Sequence, residues 1–182
     1  MAPLTKVLIA DDDRVIVEML TAVLRAKRVK VTAAADAMQA VMFAIREAPD
    51  AIVLDIGMPG GTGLTALRKL HDNRKTAFIP VLVLTGATDP TLPATVADLG
   101  AVFVRKPLRP AELYPILVDI VDRRAALAEQ VFESVRNSSI EEIITELEGQ
   151  GVTTTEVELS VVLDHLAMTR RVLRKDERWY VA

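Results

Sequence analysis

The sequence predicts an α/β fold in which helices cover both faces of a parallel sheet, followed by a small, mostly helical module. In the first two-thirds of the chain, short apolar runs alternate five times with segments of helical periodicity. The runs are rich in branched side chains and have no polar face, which is typical of strands buried on both sides. Alternation of this kind produces a parallel sheet, because right-handed crossovers place the helices over both faces.

Five strands and five helices are expected in residues 1–124, which form the first predicted domain. The strands are predicted at 7–10, 29–33, 51–54, 81–84 and 101–104. Between them, apolar residues recur three and four positions apart, as they do in amphipathic helices. Asp13 should cap the first helix, and Pro110 should open the fifth, because proline is favoured in a first turn.

Residues 125–182 are expected to form a separate output module that is entered through an extended helix. Helical spacing continues over 124–137, and a second helix is predicted at 140–148, where Ser138 or Ser139 can complete a capping box. A third helix is predicted at 155–167. The end of the chain, 170–181, alternates apolar and charged residues in a pattern that suits a small hairpin.

Composition limits the possible functions. Hydrophobic residues make up 51% of the 182 residues and charged residues 26%, so the chain can bury a core. Cysteine is absent, which excludes disulfides, thiolate metal sites and cysteine nucleophiles. The net charge of −3 is too small to indicate a nucleic-acid or membrane partner by itself. Without a secretory signal or an apolar stretch long enough to span a bilayer, we expect a soluble, cytoplasmic protein.

Functional groups follow four of the five predicted strands. Asp11 and Asp12 come directly after the first strand, Asp55 after the third, Thr85 at the end of the fourth and Lys106 after the fifth. Ligand sites in parallel sheets lie at the carboxyl ends of the strands. The topology is therefore expected to bring these five side chains to one edge of the sheet.

The chemistry of this group favours phosphoryl transfer. Three carboxylates in a partly dry site repel one another, and Lys106 supplies only one compensating charge. A hard divalent ion supplies two more, and all-oxygen ligands suit Mg²⁺. Such an ion neutralises phosphoryl oxygens, so Asp55 could act as a nucleophile that forms an acyl phosphate. Thr85 and Lys106 could each contact a phosphoryl oxygen.

Each of these signals alone also has an ordinary structural interpretation. An aspartate after a strand is commonly a turn former, and Thr-Gly or Lys-Pro pairs are common in loops. The joint appearance of all the groups, each at a strand end and in the order required, favours the functional interpretation.

Four segments resemble the receiver domains of two-component response regulators. They are VLIADDD at 7–13, IVLDIGMPGGTGL at 52–64, VLVLTGATD at 81–89 and VFVRKPLRPAEL at 102–113. The resemblance covers about two-thirds of the chain and implies the flavodoxin-like, doubly wound form of the α/β fold. It also implies a sensor histidine kinase as partner. Such a domain catalyses only its own phosphorylation and dephosphorylation and is not an enzyme with an external substrate.

The resemblance assigns roles to individual residues at the acidic edge. Asp55 would be the phosphoacceptor and also a metal ligand. Asp12 would bind the metal directly, and Asp11 largely through water. The backbone carbonyl of Gly57 would complete the protein ligands of the metal.

The resemblance also implies a conformational switch. Thr85 and Lys106 would bind the phosphoryl group, and Pro107 would follow a peptide bond that is often cis. Phe103 matches the aromatic switch position and would rotate inward once the Thr85 hydroxyl moves towards the phosphoryl group. The changed surface of the fourth helix, fifth strand and fifth helix would then favour a homodimer.

The C-terminal segment resembles a winged-helix module, with much less specific motifs. In that family the third helix enters the major groove of DNA and the wing contacts the backbone. Residues 125–182 contain six Lys or Arg against eleven Asp or Glu, and the third helix has no Lys or Arg. Five of these six basic side chains gather in the predicted wing. They are Arg170, Arg171, Arg174, Lys175 and Arg178.

Two outputs are therefore open. The first is a DNA-binding response regulator that regulates transcription, with the wing making the phosphate contacts. The second is a signalling adaptor whose C-terminal module binds a protein partner, which the acidic third helix favours.

Overall fold

The computed structural model describes residues 4–58, 63–135 and 137–182. The chain forms two compact units, Met1–Asp122 and Arg123–Ala182. Within the described ranges, no helix combines the length and the apolar character needed to cross a bilayer.

The first unit contains a five-stranded parallel sheet with the strand order β2-β1-β3-β4-β5, which confirms the predicted doubly wound fold. Its strands are β1 (Lys6–Ala10), β2 (Lys30–Ala34), β3 (Ala51–Leu54), β4 (Val81–Thr85) and β5 (Val102–Arg105). The strand order changes direction between β1 and β3. In sheets of this kind, ligands bind beside that point of reversal.

Burial differs between central and edge strands. Every residue of β3 and β4 is buried, as the apolar runs predicted. The expectation of two covered faces is wrong for β2 and β5, which are partly exposed. Each of these strands lies at an edge of the sheet and has a neighbour on one side only, so its covering is incomplete.

Helices follow all five strands. They are α1 (Arg14–Ala26), α2 (Ala37–Glu47), α3 (Gly63–Asp72), α4 (Leu92–Asp98) and α5 (Pro110–Ser134). As predicted, α5 begins at Pro110, and the Asp13 carboxylate caps α1 by accepting a hydrogen bond from the Val15 N–H at 2.9 Å. Two aliphatic clusters form the core, one containing Leu54 and Val83 and the other Ile9 and Leu82. Neighbouring residues of one strand fall in different clusters, so the core lies on both faces of the sheet.

The second unit contains the end of α5, two further helices and an antiparallel hairpin. These elements are α6 (Ile140–Gly149), α7 (Glu156–Met168), β6 (Val172–Lys175) and β7 (Arg178–Val181). Ser139 and Glu142 form the predicted capping box at the start of α6.

One feature of the second unit was not predicted. The chain between α5 and α6 pairs with β7, because Ser138 and Trp179 exchange backbone hydrogen bonds of 3.1 and 2.9 Å. The elements therefore follow the order helix, bridging segment, helix, helix, hairpin.

Candidate functional site

Three carboxylates meet at the point where the strand order reverses. Asp11 and Asp12 follow β1, and Asp55 follows the neighbouring β3. One carboxylate oxygen from each lies within 4.8 Å of the other two. The pairing of β1 with β3 brings these carboxylates together. A hydrogen bond of 2.8 Å from the Asp55 N–H to the Ala10 carbonyl continues the strand pairing beyond Leu54. Asp11 and Asp55 are buried, whereas Asp12 is exposed.

Lys106 provides the cation of the cluster. Its Nζ donates to an Asp11 carboxylate oxygen at 2.6 Å and to an Asp55 carboxylate oxygen at 2.9 Å. The side chain reaches the acidic group from the residue that follows β5, and β5 lies two strands away from β3 in the sheet. Its own backbone is held by a hydrogen bond of 2.9 Å from the Lys106 N–H to the Thr85 carbonyl. One ammonium group is thus shared between two buried carboxylates.

The surroundings of Asp55 keep it ionised. Burial alone would raise its pKa, but hydrogen bonds from Lys106 and the Gly57 N–H, together with the nearby Thr85 hydroxyl, hold the pKa below its usual range. Burial prevails at Asp11, whose pKa is raised although Lys106 also contacts it. The pKa of Lys106 is raised as well, because its two carboxylate partners outweigh the burial that would lower it. Asp55 is therefore a carboxylate at neutral pH, the form that a nucleophile requires.

The donor set fits a hard divalent cation. All three side chains offer carboxylate oxygens, and one lysine leaves their combined charge incompletely balanced. The exposure of Asp12 leaves room for water ligands, which Mg²⁺ retains in most protein sites.

The predicted switch residues lie on β4, β5 and the segment after β5. Thr85 is almost completely buried, and its hydroxyl accepts a hydrogen bond of 3.2 Å from the Ala87 N–H. Phe103 is half-buried, lies opposite Val83 on β4 and packs against the core cluster that contains Leu54 and Val83. The peptide bond between Lys106 and Pro107 is cis.

Gly63 is a residue of this site that sequence reasoning did not find. A Cβ atom at this position would lie 2.0 Å from the backbone oxygen of Asp55 and 2.7 Å from the Cα of Ile56. The Gly63 N–H also donates to the Ile56 carbonyl at 3.1 Å. The first turn of α3 thus closes directly onto the backbone that carries Asp55, and only glycine leaves enough space.

The sequence did contain a signal for this contact. The stretch GMPGGTG after β3 contains four glycines, and its composition alone does not show which of them contacts the Asp55 backbone. Residues 59–62 of that stretch lie outside the described residues.

Two of the predicted wing cations have partners within the second unit. The Arg171 guanidinium donates to both carboxylate oxygens of Glu129, at 2.7 and 2.9 Å, and stacks 4.0 Å from the centre of the Phe132 ring. Arg178 donates to Glu142 at 2.7 Å and to the Asn137 carbonyl.

The other three wing cations are exposed. The Arg174 guanidinium lies 5.8 Å from the centre of the Trp179 ring, its cross-strand neighbour. Arg170 and Lys175 are both exposed, and neither has an ion pair within the part of the chain that the structure describes. A polyanion would therefore meet Arg170, Arg174 and Lys175 without first breaking an ion pair.

Comparison with protein families identifies the first unit. A family model described as the response regulator receiver domain matches residues 7–118. The response regulator PleD of Caulobacter vibrioides is 41% identical over 80 residues, which cover 44% of this chain and 18% of PleD.

Two longer matches extend into the second unit. TcrX of Mycobacterium tuberculosis, named a probable transcriptional regulatory protein, is 33% identical over 93% of this chain and 74% of its own length. MtrA of Mycolicibacterium smegmatis, named a DNA-binding response regulator, is 29% identical over 94% of this chain and 75% of its own. The chain thus spans about three-quarters of these two relatives and about a fifth of PleD.

Solved structures with the same fold include a CheY-like receiver domain protein from Methanospirillum hungatei, with a TM-score of 0.63 at 23% identity over 68% of this chain and 98% of that one. CheY4 of Vibrio cholerae has a TM-score of 0.60 at 30% identity, over 64% and 98%. The receiver domain of a sensor histidine kinase from Pseudomonas aeruginosa has a TM-score of 0.59 at 28% identity, over 65% and 98%. That structure has a magnesium ion coordinated in its active-site cleft.

Proposed function

We propose, from the premise that this chain belongs to the response regulator receiver domain family, that Asp55 accepts a phosphoryl group from a sensor histidine kinase. The observation that carries the proposal is the convergence of Asp11, Asp12 and Asp55 with the shared cation Lys106. This arrangement concentrates negative charge around one ionised nucleophile and balances it only in part.

The proposed reaction is a transfer from phosphohistidine to Asp55. A carboxylate oxygen of Asp55 attacks phosphorus, the phosphorus–nitrogen bond breaks, and the imidazole leaves with the bonding electron pair. No proton has to be removed from Asp55, because its pKa lies below the usual range. Lys106, whose Nζ lies 2.9 Å from an Asp55 carboxylate oxygen, would pair with a phosphoryl oxygen. Mg²⁺ bound by Asp11, Asp12, Asp55 and the Gly57 carbonyl would supply positive charge against the phosphoryl oxygens.

The new dianionic group is proposed to act on Thr85 and Phe103. Thr85 is buried close to Asp55, so its hydroxyl needs only a short movement to donate to a phosphoryl oxygen. The half-buried Phe103 on β5 would then turn inward, and the changed surface of α4, β5 and α5 would favour a homodimer.

Acetyl phosphate and Mg²⁺ test the phosphorylation step directly. We expect one phosphoryl group per chain by intact-protein mass spectrometry, stable in acid and labile in base. Asp55→Asn should abolish the adduct, and so should removal of Mg²⁺ with EDTA. Asp98→Asn, an exposed aspartate of α4, is the matched control and should be phosphorylated normally. Full labelling of Asp55→Asn would refute the proposal.

For the output we propose DNA binding led by the wing, with residues 1–124 as receiver and 125–182 as output module. The names of TcrX and MtrA support this output, and both alignments extend over most of the second unit. The order of helices, bridging segment and hairpin in that unit resembles a winged helix. The cations available to phosphates are Arg170, Arg174 and Lys175, since α7 has no Lys or Arg.

A salt-dependent gel shift tests the DNA output. Arg174→Gln and Lys175→Gln should each weaken binding and reduce the slope of log affinity against log salt by about 1. Arg25→Gln, in α1 of the first unit, should leave the slope unchanged. The DNA output is excluded if the chain fails to bind even random DNA at low salt.

A protein-docking output is the second candidate, and one observation favours it. The helix that would enter the major groove, α7, contains Glu156, Glu158 and Asp164 and no basic residue that could contact phosphate. Recovery of a protein partner that depends on Asp55 phosphorylation would support this adaptor function. Equal recovery with Asp55→Asn would exclude control of this docking by phosphorylation, and failure to recover any protein ligand would exclude the adaptor function itself.

A further inference from the structure

The face of α7 that points away from its own core is apolar except for Asp164. Its buried residues are Leu159, Val162, Leu163 and Leu166, which form one stripe along the helix. In most surface helices the opposite face is polar, because it meets water. On α7 that face is mainly valine and methionine, so both sides of the helix favour burial.

The outward stripe follows the spacing of a helix-docking seam. Val157, Val161, Asp164 and Met168 are separated by four, three and four residues, which places them on one line opposite the buried stripe. Val157 is 52% exposed and Met168 51%, while Val161 and Asp164 are half-buried. Alternating spacings of three and four residues let one helix pack along another over several turns.

The charge of α7 limits what can cover this stripe. Glu156 is exposed beside Val157, Glu158 pairs with Arg124 at 3.7 Å, and Asp164 lies within the stripe. With three acidic residues and no Lys or Arg, the helix repels a phosphate backbone. A second copy of α7 is also disfavoured, because it would bring another set of three carboxylates against the first. A covering helix must therefore be apolar along one line and basic beside it.

We propose that the outward face of α7 docks an amphipathic helix of a partner protein, with apolar residues against Val157, Val161 and Met168 and Lys or Arg residues beside them. This surface deepens the protein-docking output and leaves Arg170, Arg174 and Lys175 available to a polyanion. Docking of this kind uses apolar anchors for affinity and charge for selectivity. It requires α7 alone and does not depend on phosphorylation of Asp55.

Two synthetic peptides and the isotope-labelled full chain test the proposal. One peptide has leucines at alternating spacings of three and four residues, flanked by lysines; the other has glutamates in place of the lysines. The lysine peptide should shift the NMR methyl signals of Val157, Val161 and Met168, and the glutamate peptide should not. Combined Val157→Ser and Met168→Ser should weaken lysine-peptide binding about tenfold.

Matched controls distinguish binding at this surface from non-specific binding to exposed apolar side chains. Val15→Ser and Leu173→Ser remove apolar side chains that are 74% and 58% exposed outside α7, and both should bind the lysine peptide like the unsubstituted chain. Glu156→Gln should weaken binding less than the double variant and reduce its dependence on salt. Asp55→Asn should lose phosphorylation but still bind the lysine peptide. This result would separate the docking surface from the receiver function.

Several outcomes would overturn the proposal. They are equal binding of the two peptides, wild-type affinity of the Val157 and Met168 double variant, and methyl shifts confined to residues outside α7. Sedimentation adds another, since a dimer that the double variant abolishes would identify a second copy as the occupant. If the double variant unfolds, the methyl shifts of the unsubstituted chain still decide the question.

Discussion

Basic side chains have different surroundings in the two units. In the first, Lys106 is 19% exposed and lies between Asp11 and Asp55, which are 4% and 9% exposed. In the second, Arg171 is 35% exposed and has Glu129, 61% exposed, as its carboxylate partner. The first cluster has more buried negative charge than one lysine can balance. The second pair is balanced and largely hydrated.

This difference separates functional from structural charge. Burying unbalanced carboxylates costs free energy, so such a cluster is a candidate for chemistry rather than for stability. A hydrated one-to-one pair contributes little to stability and has no charge left for a ligand. The imbalance, rather than the number of ion pairs, distinguishes the acidic edge of the sheet from the surface of the second unit.

Substituting Gly63 should have the largest effect on the acidic edge of the sheet, because an added side chain displaces the backbone that carries Asp55. Gly63→Ala places a Cβ 2.0 Å from the Asp55 backbone oxygen, so we expect a loss of about 3 kcal/mol or more in the free energy of unfolding. Urea denaturation measures the loss. The control is Gly149→Ala in α6, which meets no atom within 4 Å and should be neutral or stabilising by up to about 1 kcal/mol. Equal effects of the two substitutions would contradict the close contact.

Removing the shared cation tests the acidic edge itself. Lys106→Met leaves Asp11 and Asp55 without their common partner, and the initial rate of phosphorylation by acetyl phosphate should fall about 100-fold. Arg171→Met removes the cation that pairs with the exposed Glu129 of the second unit and should leave that rate unchanged. If both variants phosphorylate at the normal rate, charge imbalance does not mark the functional site.

Asp50 is a third kind of carboxylate, because its charge is stabilised by neutral hydrogen-bond donors, and a pH titration can test its contribution to stability. Burial alone would raise the pKa of Asp50, but hydrogen bonds from the Thr5 N–H, the Thr5 hydroxyl and the Lys6 N–H, at 2.7, 2.7 and 2.8 Å, hold it below its usual range. A lowered folded-state pKa stabilises the protein above the unfolded value of about 4. That contribution disappears as the pH falls through the folded-state pKa.

Asp50→Asn removes this titration. The variant should be less stable than the unsubstituted chain at pH 7, and the difference should shrink as the pH falls below about 4. Urea denaturation at several pH values measures it. A difference that stays constant down to the acid limit would show that the hydrogen bonds stabilise both protonation states equally.

The smallest effect is expected at the hydrated pair of the second unit. Glu129→Gln removes the charge opposite Arg171 but leaves the stacking of Arg171 on Phe132 intact. The melting temperature should fall by no more than about 4 °C, because a hydrated ion pair contributes at most about 1 kcal/mol. The exposed Glu133→Gln, on the same helix, is the control and should behave alike. A much larger loss for Glu129→Gln would place this pair among the structural determinants of the unit.

The sequence predicted the acidic edge because topology alone brings it together. Parallel strands end at one edge, so Asp11 and Asp55 had to converge once the strands were recognised. The fold class and the helix caps at Asp13 and Ser139 rest on similarly local rules. The roles of Phe103 and Pro107 came only from the family resemblance, since neither has a pattern of its own.

Features that depend on distant contacts were not predictable in this way. Gly63 matters because α3 closes onto the Asp55 backbone, and no local pattern marks which glycine of a glycine-rich loop makes that contact. Arg171 pairs with Glu129, which lies 42 residues earlier in the sequence. Counting basic residues in the wing therefore overestimated the number of cations available to a ligand. Incomplete covering of β2 and β5 follows from strand order, which apolar content does not specify.

The two residues of the hairpin turn, Asp176 and Glu177, determine the backbone conformation and the charge at the tip of the wing. Asp176 and Glu177 both have positive φ, 48° and 62°, a conformation that aspartate tolerates and that is unfavourable for glutamate. Replacing the pair by Asn-Gly, the usual choice for such a two-residue connection, would relieve that backbone energy and delete two negative charges from the tip. The backbone energy of the turn and the electrostatic potential of the wing can therefore be adjusted by two substitutions that leave every strand residue in place.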